Sequence, residues 1–198
     1  MDETLFRVIN GLSGQFEMAD WFMLALAQHS NLFLPGVLVL AYWLWMDTRE
    51  ALVGSLVLGA VVVLIDFVGA QVKYLAARSR PCQVLEHVRQ LSDCGGTFSF
   101  PSNHAMNTAA AAAFVQVLYP ASGWVTWPLV VLIGFSRVYI GAHYVTDVVG
   151  AWIMGGCIGA AAGLALLRWP VFSLHRAKGP HQNRESREGN SMSGRRSV

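Results

Sequence analysis

Charged side chains are scarce in this sequence. Only 13% of the 198 residues are Asp, Glu, Lys or Arg, whereas 54% are hydrophobic. Soluble globular proteins carry roughly 25% charged residues, so the composition excludes an ordinary soluble domain and indicates a protein embedded in a membrane. The formal net charge is only +2, and we expect the lipid bilayer as the partner and no nucleic acid.

The first 30 residues lack an uninterrupted apolar run. Arg7, Glu17 and Asp20 divide this stretch into pieces too short to cross a bilayer unaided. The stretch also has neither a basic start nor a small-residue cleavage site, so it does not resemble a removable signal peptide. We therefore expect residues 1–30 to form an interfacial or partly inserted helical segment, with a sixth span as the alternative.

Beyond this segment, long runs are almost free of charge. A membrane helix needs roughly 20 predominantly apolar residues or slightly fewer. Five runs meet this requirement and predict an all-α polytopic helix bundle with five full spans: residues 31–46, 51–72, 105–119, 124–135 and 148–167. We expect residues 31–172 to form the membrane core.

The last apolar run carries a face of small residues. Gly155, Gly159 and Gly163 are spaced four apart, which lets another helix approach closely. Cys157 lies among these glycines, and we expect it to be a small buried apolar residue.

Basic residues set the expected orientation. Residues 173–198 are polar and contain six Lys or Arg against two Glu, which predicts a disordered tail in the cytoplasm. With five spans the N-terminus and two loops then lie outside an inner membrane. Cys82 and Cys94 share one of these outer loops, and we predict a disulfide between them, because that compartment permits oxidation.

Several basic residues fall on the outer side, against the positive-inside rule, and need another explanation. Four separate pieces of sequence end at this face on the predicted topology: the end of the second span, the start of the third, the end of the fourth and the start of the fifth. Ionisable groups near a membrane are rare and usually functional. The residues expected to share this layer are Lys73, Arg80, Ser102, His104, Arg137, His143 and Asp147.

The chemistry of these side chains points to phosphate. Two arginines and a lysine can surround a tetrahedral dianion with charge-assisted hydrogen bonds. The stretch "PSNHAMNTAAAAAF" adds a helix N-terminus, whose unpaired N–H groups and dipole favour an anion. Ser102 is suited either to cap this helix or to donate directly to a phosphate.

Two histidines are available for catalysis. His143 and Asp147 are spaced i, i+4, so Asp147 can hold one ring nitrogen and leave the other to attack a substrate. His104, from another span, can protonate a leaving oxygen. These considerations alone do not decide which histidine attacks. A metal site is the alternative use of the same residues, but the three nearby cations would repel a divalent ion, so we expect no metal and no cofactor.

Three motifs carry a family resemblance. The stretches "KYLAARSRP" (73–81), "PSNH" (101–104) and "SRVYIGAHYVTD" (136–147) resemble the signature KxxxxxxRP, PSGH, SRxxxxxHxxxD of the type 2 phosphatidic acid phosphatase superfamily. All three occur in order and with intact spacing. The one departure is Asn103 in place of glycine, which still offers a backbone N–H, so we expect altered geometry and not lost activity.

The resemblance implies a metal-independent phosphatase that works through a covalent phosphohistidine. It assigns His143 as the nucleophile, Asp147 as the residue that orients it, and His104 as the general acid and base. It also assigns phosphate binding to Lys73, Arg80, Ser102, Asn103 and Arg137.

A membrane lipid is the substrate class that fits the predicted spans. Small bacterial family members that hydrolyse undecaprenyl diphosphate resemble this chain in length and in the opening "LFRVINGLSG", so we prefer that substrate. Phosphatidylglycerophosphate, phosphatidic acid and lipid A phosphate are the alternatives. An anion transporter is a different class of function, and Asp66 in mid-span would suit a proton relay in such a protein. In a phosphatase, Asp66 would be a hydrogen-bonded structural acid, or it would steer Lys73 or another polar neighbour. The oligomeric state is not indicated.

Overall fold

The structure, a computed structural model, describes residues 1–28, 37 and 40–169. This part of the chain is helical, with no β-strand among the described residues beyond an isolated bridge between Ser79 and Phe98. Seven α-helices are numbered here in chain order: α1 (Asp2–Asn10), α2 (Glu17–Ala27), α3 (Thr48–Ala76), α4 (Pro81–Val84), α5 (Asn103–Leu118), α6 (Gly123–Tyr139) and α7 (Val145–Arg168). A short 3-10 turn, Pro120–Ser122, precedes α6, and residues 40–46 are also helical.

Three of the described segments are long and apolar enough to cross a membrane: Thr48–Ala76, Pro120–Tyr139 and Val145–Arg168. They contain three of the five predicted spans. The predicted span at 105–119 is the helix α5, which at 16 residues is roughly 24 Å long, shorter than the hydrocarbon core. Half of the first predicted span, at 31–46, and all of the predicted tail, at 173–198, lie outside the described residues.

The boundaries of α3 follow from its sequence. Asp47 caps its N-terminus by accepting hydrogen bonds from the backbone N–H groups of Arg49 and Glu50, both at 3.0 Å. The helix ends where Ala77 adopts a left-handed conformation with φ of 44°. This ending directs the chain into the segment that carries Arg78 and Arg80.

Helices α5 and α7 form the centre of the bundle. A Cβ atom added to Gly155 would lie 2.1 Å from the carbonyl oxygen of Met106, and one added to Gly159 would lie 2.1 Å from that of Ala110. Only glycine permits two helix backbones to approach so closely. The predicted packing face of α7 is thereby confirmed.

The expectation for Cys157 was wrong, because its side chain is exposed on the bundle surface. Successive helix residues are about 100° apart, so Cys157 points away from α5 when Gly155 and Gly159 face it. The small-residue pattern identifies the buried face of α7, but Cys157 is not on that face.

The N-terminal helices pack against the end of the bundle that carries the predicted site residues. Phe6 is 1% exposed, and its ring centroid lies 5.6 Å from that of Tyr144. Asn10 donates to the carbonyl oxygens of Arg89 at 2.8 Å and Tyr139 at 2.9 Å. Helices α1 and α2 have 9 and 11 residues, so each is shorter than the bilayer core.

Candidate active site

The predicted site residues converge at one end of the helix bundle. Lys73 lies in the last turn of α3, Arg137 lies near the end of α6, and Asp147 lies in the first turn of α7. Arg80 precedes α4, Ser102 is the N-cap of α5, and His143 lies in the loop between α6 and α7. The fold therefore brings together the four predicted pieces of sequence: the end of α3, the start of α5, the end of α6 and the start of α7.

His143 is held inside this end of the bundle and is 2% exposed. Its backbone N–H donates to the carbonyl oxygen of Arg137 at 3.2 Å. Its Nε2 lies 3.3 Å from Nη1 of Arg80. A guanidinium group has N–H donors and no acceptor, so Nε2 must be the acceptor of this contact, and the ring proton is on Nδ1.

Asp147 lies beside the opposite edge of the His143 ring and is fully buried. Its Oδ2 lies 3.7 Å from Nδ1 of His143, which is an electrostatic contact and not a hydrogen bond. The same Oδ2 accepts a hydrogen bond from the backbone N–H of Tyr144 at 2.8 Å. Asp147 therefore caps α7 and faces the imidazole with the same carboxylate oxygen, Oδ2.

Burial determines the protonation state of His143. Desolvation lowers the pKa of the imidazole to about 4, and the positive charges of Arg80 and Arg137 lower it further, while Asp147 opposes the shift. A neutral ring with an unprotonated Nε2 is the nucleophilic form of histidine. His143 is thus in its reactive form at neutral pH.

Arg80 is anchored by the loop that follows α4. Its Nε donates to the carbonyl oxygen of Gly96 at 2.6 Å, and Nη1 donates to that of Ala142 at 3.1 Å. A disulfide joins Cys82 and Cys94, the predicted pair, with their Cα atoms 6.0 Å apart. This closed loop holds the guanidinium against the His143 ring.

The N-terminus of α5 lies against Lys73 and α7. Nζ of Lys73 donates to the carbonyl oxygen of Pro101 at 2.5 Å. The backbone N–H of Ser102 donates to the carbonyl oxygen of Asp147 at 3.3 Å. The Ser102 hydroxyl is buried and has no hydrogen-bond partner, so it is available to a group bound at this helix end. Asn103 and His104 follow in the first turn.

Asp66 supports the same turn from α3. Its Oδ1 accepts hydrogen bonds from Nδ2 of Asn103 at 3.3 Å and from Nδ2 of Asn107 at 3.1 Å. Three roles were considered for Asp66, and these contacts are those of a hydrogen-bonded structural acid that also steers polar neighbours. Asn103, which replaces the motif glycine, uses its side chain for this contact with α3.

Arg137 makes its described hydrogen bond away from the histidine ring. Its Nη1 donates to the carbonyl oxygen of Ala27, at the end of α2, at 2.9 Å. Its Nε is buried without a hydrogen-bond partner. The guanidinium group therefore retains an unused donor while it fastens the N-terminal segment to α6.

Arg78 was not among the predicted site residues. Nη1 of Arg78 donates to Oδ1 of Asp147 at 2.7 Å, so this arginine directly contacts the carboxylate that faces His143. It lies within the first motif, between Lys73 and Arg80, but no residue spacing indicates its partner. The one sequence signal was its predicted position on the outer side, where the positive-inside rule does not expect a basic residue.

In the described part of the chain, no group of three or more His, Cys, Asp or Glu side chains could hold a metal ion. The cationic side chains around His143 are suited instead to an anionic ligand.

Known proteins share both the sequence pattern and the fold. The PAP2 superfamily pattern matches residues 50–170. The undecaprenyl-diphosphatase BcrC of Bacillus subtilis is 29% identical over 164 residues, which cover 80% of this chain and 81% of that protein. The bacitracin transport permease protein BcrC of Bacillus licheniformis is 29% identical over 152 residues, covering 76% and 73%.

Among solved structures, the transmembrane PAP2-type phosphatidylglycerolphosphate phosphatase of Bacillus subtilis has a TM-score of 0.60. It is 24% identical, and the match covers 81% of this chain and 83% of that one, so this likeness shows the fold. The family pattern spans more than half of the chain and includes all three motifs. The chain belongs to the PAP2 superfamily and is a membrane lipid phosphatase.

Proposed function

We propose that this phosphatase works through a phosphohistidine formed on Nε2 of His143. The observation that carries the proposal is the orientation of the buried imidazole. Its Nε2 faces Arg80 at 3.3 Å, and its Nδ1 faces Asp147 at 3.7 Å. A histidine with one nitrogen beside a carboxylate and the other beside a cation is oriented to attack an anionic phosphate.

In the first step, Nε2 of His143 attacks phosphorus and a bond from Nε2 to phosphorus forms. The bond between phosphorus and the oxygen of the lipid breaks, and that oxygen receives a proton from His104. The modified ring keeps its proton on Nδ1 and becomes positively charged. Asp147, which is fully buried beside it, stabilises this charge, and the attraction is stronger in the low-dielectric interior than in water.

In the second step, water attacks the phosphorus and transfers its proton to His104. The bond from phosphorus to Nε2 breaks and inorganic phosphate leaves, which regenerates both histidines. Three cationic side chains stabilise the phosphoryl oxygens in both steps: Lys73, Arg80 and Arg137. The Ser102 hydroxyl and the backbone N–H groups in the first turn of α5, including that of Asn103, donate to the same oxygens. Fixed donors of this kind supply much of the acceleration in phosphoryl transfer.

Undecaprenyl diphosphate is the substrate we propose, with undecaprenyl phosphate and inorganic phosphate as products. The similarity to the undecaprenyl-diphosphatase of Bacillus subtilis supports this substrate. Phosphatidylglycerophosphate, phosphatidic acid and lipid A phosphate, which are also phosphorylated membrane lipids, are the alternatives.

The proposed location is the inner membrane, with the site at the extracytoplasmic face and residues 173–198 in the cytoplasm. Residues 1–30 would lie at the outer interface and residues 31–172 would form the membrane core. Large exposed apolar side chains on α1 and α2, among them Val8, Met18 and Trp21, are suited to contact with lipid.

Trapping the labelled enzyme tests the reaction. Purified protein is mixed with substrate carrying ³²P in its terminal phosphate and quenched after milliseconds, and the labelled peptide is then mapped under alkaline conditions that preserve phosphohistidine. We expect the label on His143 and none in the His143→Gln variant. Label on His104, or label retained by His143→Gln, would show that the two roles are reversed.

A second assay separates the substrates. Undecaprenyl diphosphate, phosphatidylglycerophosphate, phosphatidic acid and lipid A are offered in one detergent with a chelator present, and kcat/KM is compared. A preference for a glycerolipid or lipid A would reject the isoprenoid substrate and leave the reaction intact. The name of the Bacillus licheniformis relative describes transport; anion flux in liposomes without hydrolysis would favour that function here.

A further inference from the structure

Arg78 connects two acidic residues at the end of the bundle. Its Nη1 donates to Oδ1 of Asp147 at 2.7 Å, and its Nη2 donates to Oδ2 of Asp2 at 2.5 Å. Nη1 also donates to the Thr146 hydroxyl at 2.7 Å. The guanidinium carbon lies 4.0 Å from the centroid of the Tyr144 ring, which is a favourable cation–π distance.

Asp2 fastens the other end of this contact to α7. Its Oδ1 accepts a hydrogen bond from the backbone N–H of Thr146 at 3.2 Å, and its Oδ2 accepts one from the Thr146 hydroxyl at 2.5 Å. A carboxylate at a helix N-terminus interacts favourably with the helix dipole. Asp2 therefore caps α7 from α1 and holds Arg78 in place.

These contacts determine how the Asp147 carboxylate is oriented. Oδ1 is bound by Arg78, and Oδ2 is bound by the Tyr144 N–H and faces His143. Without Arg78, Oδ1 would lose its ion pair and the carboxylate could rotate away from the ring. The side chain of Asp147 is completely buried, so loss of the balancing charge is also costly.

Arg78 differs from Arg80, one of the two arginines assigned to phosphate binding. Both of its terminal nitrogens are occupied by carboxylates, whereas Arg80 contacts backbone carbonyl oxygens and the His143 ring. The charge of Arg78 is balanced by two carboxylates, so this arginine attracts a substrate phosphate less strongly than Arg80 does.

We infer that Arg78 and Asp2 are positioning residues: together they fix Asp147 against His143, so the N-terminal helix α1 is part of the catalytic assembly. This inference rests on the proposed function, because it acts through the orientation of His143. It assigns a function to a helix outside the three motifs and to an arginine inside the first motif that the signature leaves unspecified.

The test is a double-mutant cycle with kcat and KM measured separately. Arg78→Gln should lower kcat by roughly 10- to 100-fold, the size expected of a small misplacement of catalytic groups. KM should stay within about threefold, because the phosphate ligands are intact. In an Asp147→Asn background the same change should have almost no further effect, since it acts through that carboxylate.

Asp2→Asn should lower kcat less, by several-fold, and the double variant Asp2→Asn/Arg78→Gln should be no slower than Arg78→Gln alone. Glu3→Gln is the matched control, because Glu3 lies on the same helix in an exposed pair with Arg7. We expect it to leave kcat unchanged. Arg78→Lys keeps the charge without the forked geometry and should recover part of the activity.

Four outcomes would overturn the inference. Effects of Arg78→Gln and Asp147→Asn that multiply would show that Arg78 acts independently of the carboxylate. A rise in KM with kcat unchanged would make it a phosphate ligand. Activity of both Arg78→Gln and Arg78→Lys equal to that of Glu3→Gln would remove any role. If Arg78→Lys lowered the melting temperature and left kcat unchanged, the role of Arg78 would be structural. Failure of the wild-type protein to hydrolyse any lipid phosphate would instead reject the proposed function.

Discussion

At the scale of single residues, the protonation of His143 is the property most open to measurement. Burial lowers the pKa of its imidazole to about 4, whereas an unfolded histidine titrates near 6.5. We expect the His143 ring resonances of histidine-labelled protein in detergent to show no protonation between pH 8 and about 5. His143→Gln identifies the signal, and the denatured protein gives the reference titration. A midpoint near 6.5 in the folded protein would contradict the prediction.

The same shift has a consequence for stability. The folded pKa lies below the unfolded one, so the neutral ring stabilises the fold fully above pH 6.5, and this contribution is lost as the pH falls through the interval from 6.5 to about 4. Stability should therefore decrease across this interval with a slope that His143→Gln reduces.

The role of His104 can be read from the leaving group. A general acid contributes most when the departing oxygen needs a proton, and such groups supply roughly 10²- to 10⁴-fold. His104→Gln should therefore reduce hydrolysis of phosphatidic acid, which releases an alcohol, far more than hydrolysis of nitrophenyl phosphate. His143→Gln serves as the comparison and should abolish both reactions. Equal losses for the two substrates in His104→Gln would show that His104 does not protonate the leaving group.

At the scale of helices, the close approach of α5 and α7 depends on glycine. A Cβ at position 159 would lie 2.1 Å from the Ala110 carbonyl oxygen. Because backbone atoms block this space, Gly159→Ala should separate the two helices and destabilise the fold by about 1–3 kcal/mol, the usual cost of overpacking. The measurement is thermal unfolding in detergent, together with kcat, because Ser102 and Asp147 lie at the adjoining ends of these helices.

Gly156 provides the matched control on the same helix. A Cβ at this position would meet the Trp127 ring at 3.7 Å, which is ordinary van der Waals contact. Gly156→Ala should leave the melting temperature unchanged or raise it slightly, because alanine is a better helix former. Equal destabilisation by both variants would show that the contact with Ala110 is not what fixes the packing.

The helices themselves could be predicted because length and hydropathy are local properties. The apolar run at 51–72 lies inside α3, and the glycines of α7 identified its packing face. The contacts of α1 could not be predicted in the same way. Asp2 and Arg78 are 76 positions apart and Arg78 and Asp147 are 69 apart, and no periodic signal connects them. The three motifs were enough to predict that the site residues lie together. The residues that orient them could not be predicted, because their contacts depend on tertiary packing.

At the scale of the whole molecule, the disulfide and the site share one end. Cys82 and Cys94 close the loop that anchors Arg80 through Gly96. Closing a loop of this size stabilises a fold by roughly 3 kcal/mol or less. A bond of this kind is typical of oxidising compartments, which agrees with the proposed extracytoplasmic location of the site.

Opposite faces of the membrane can be distinguished with two introduced cysteines. Glu86 is exposed in the loop beside the disulfide, and the proposed topology places Ser193 in the cytoplasm. In a Cys157→Ala background, Glu86→Cys should react with a membrane-impermeant maleimide in intact cells, or in spheroplasts where an outer membrane is present. Ser193→Cys should react only after lysis, because the basic tail stays inside. Labelling of Ser193→Cys before lysis, with Glu86→Cys protected, would invert the topology, place the site at the cytoplasmic face and require a substrate presented from that leaflet.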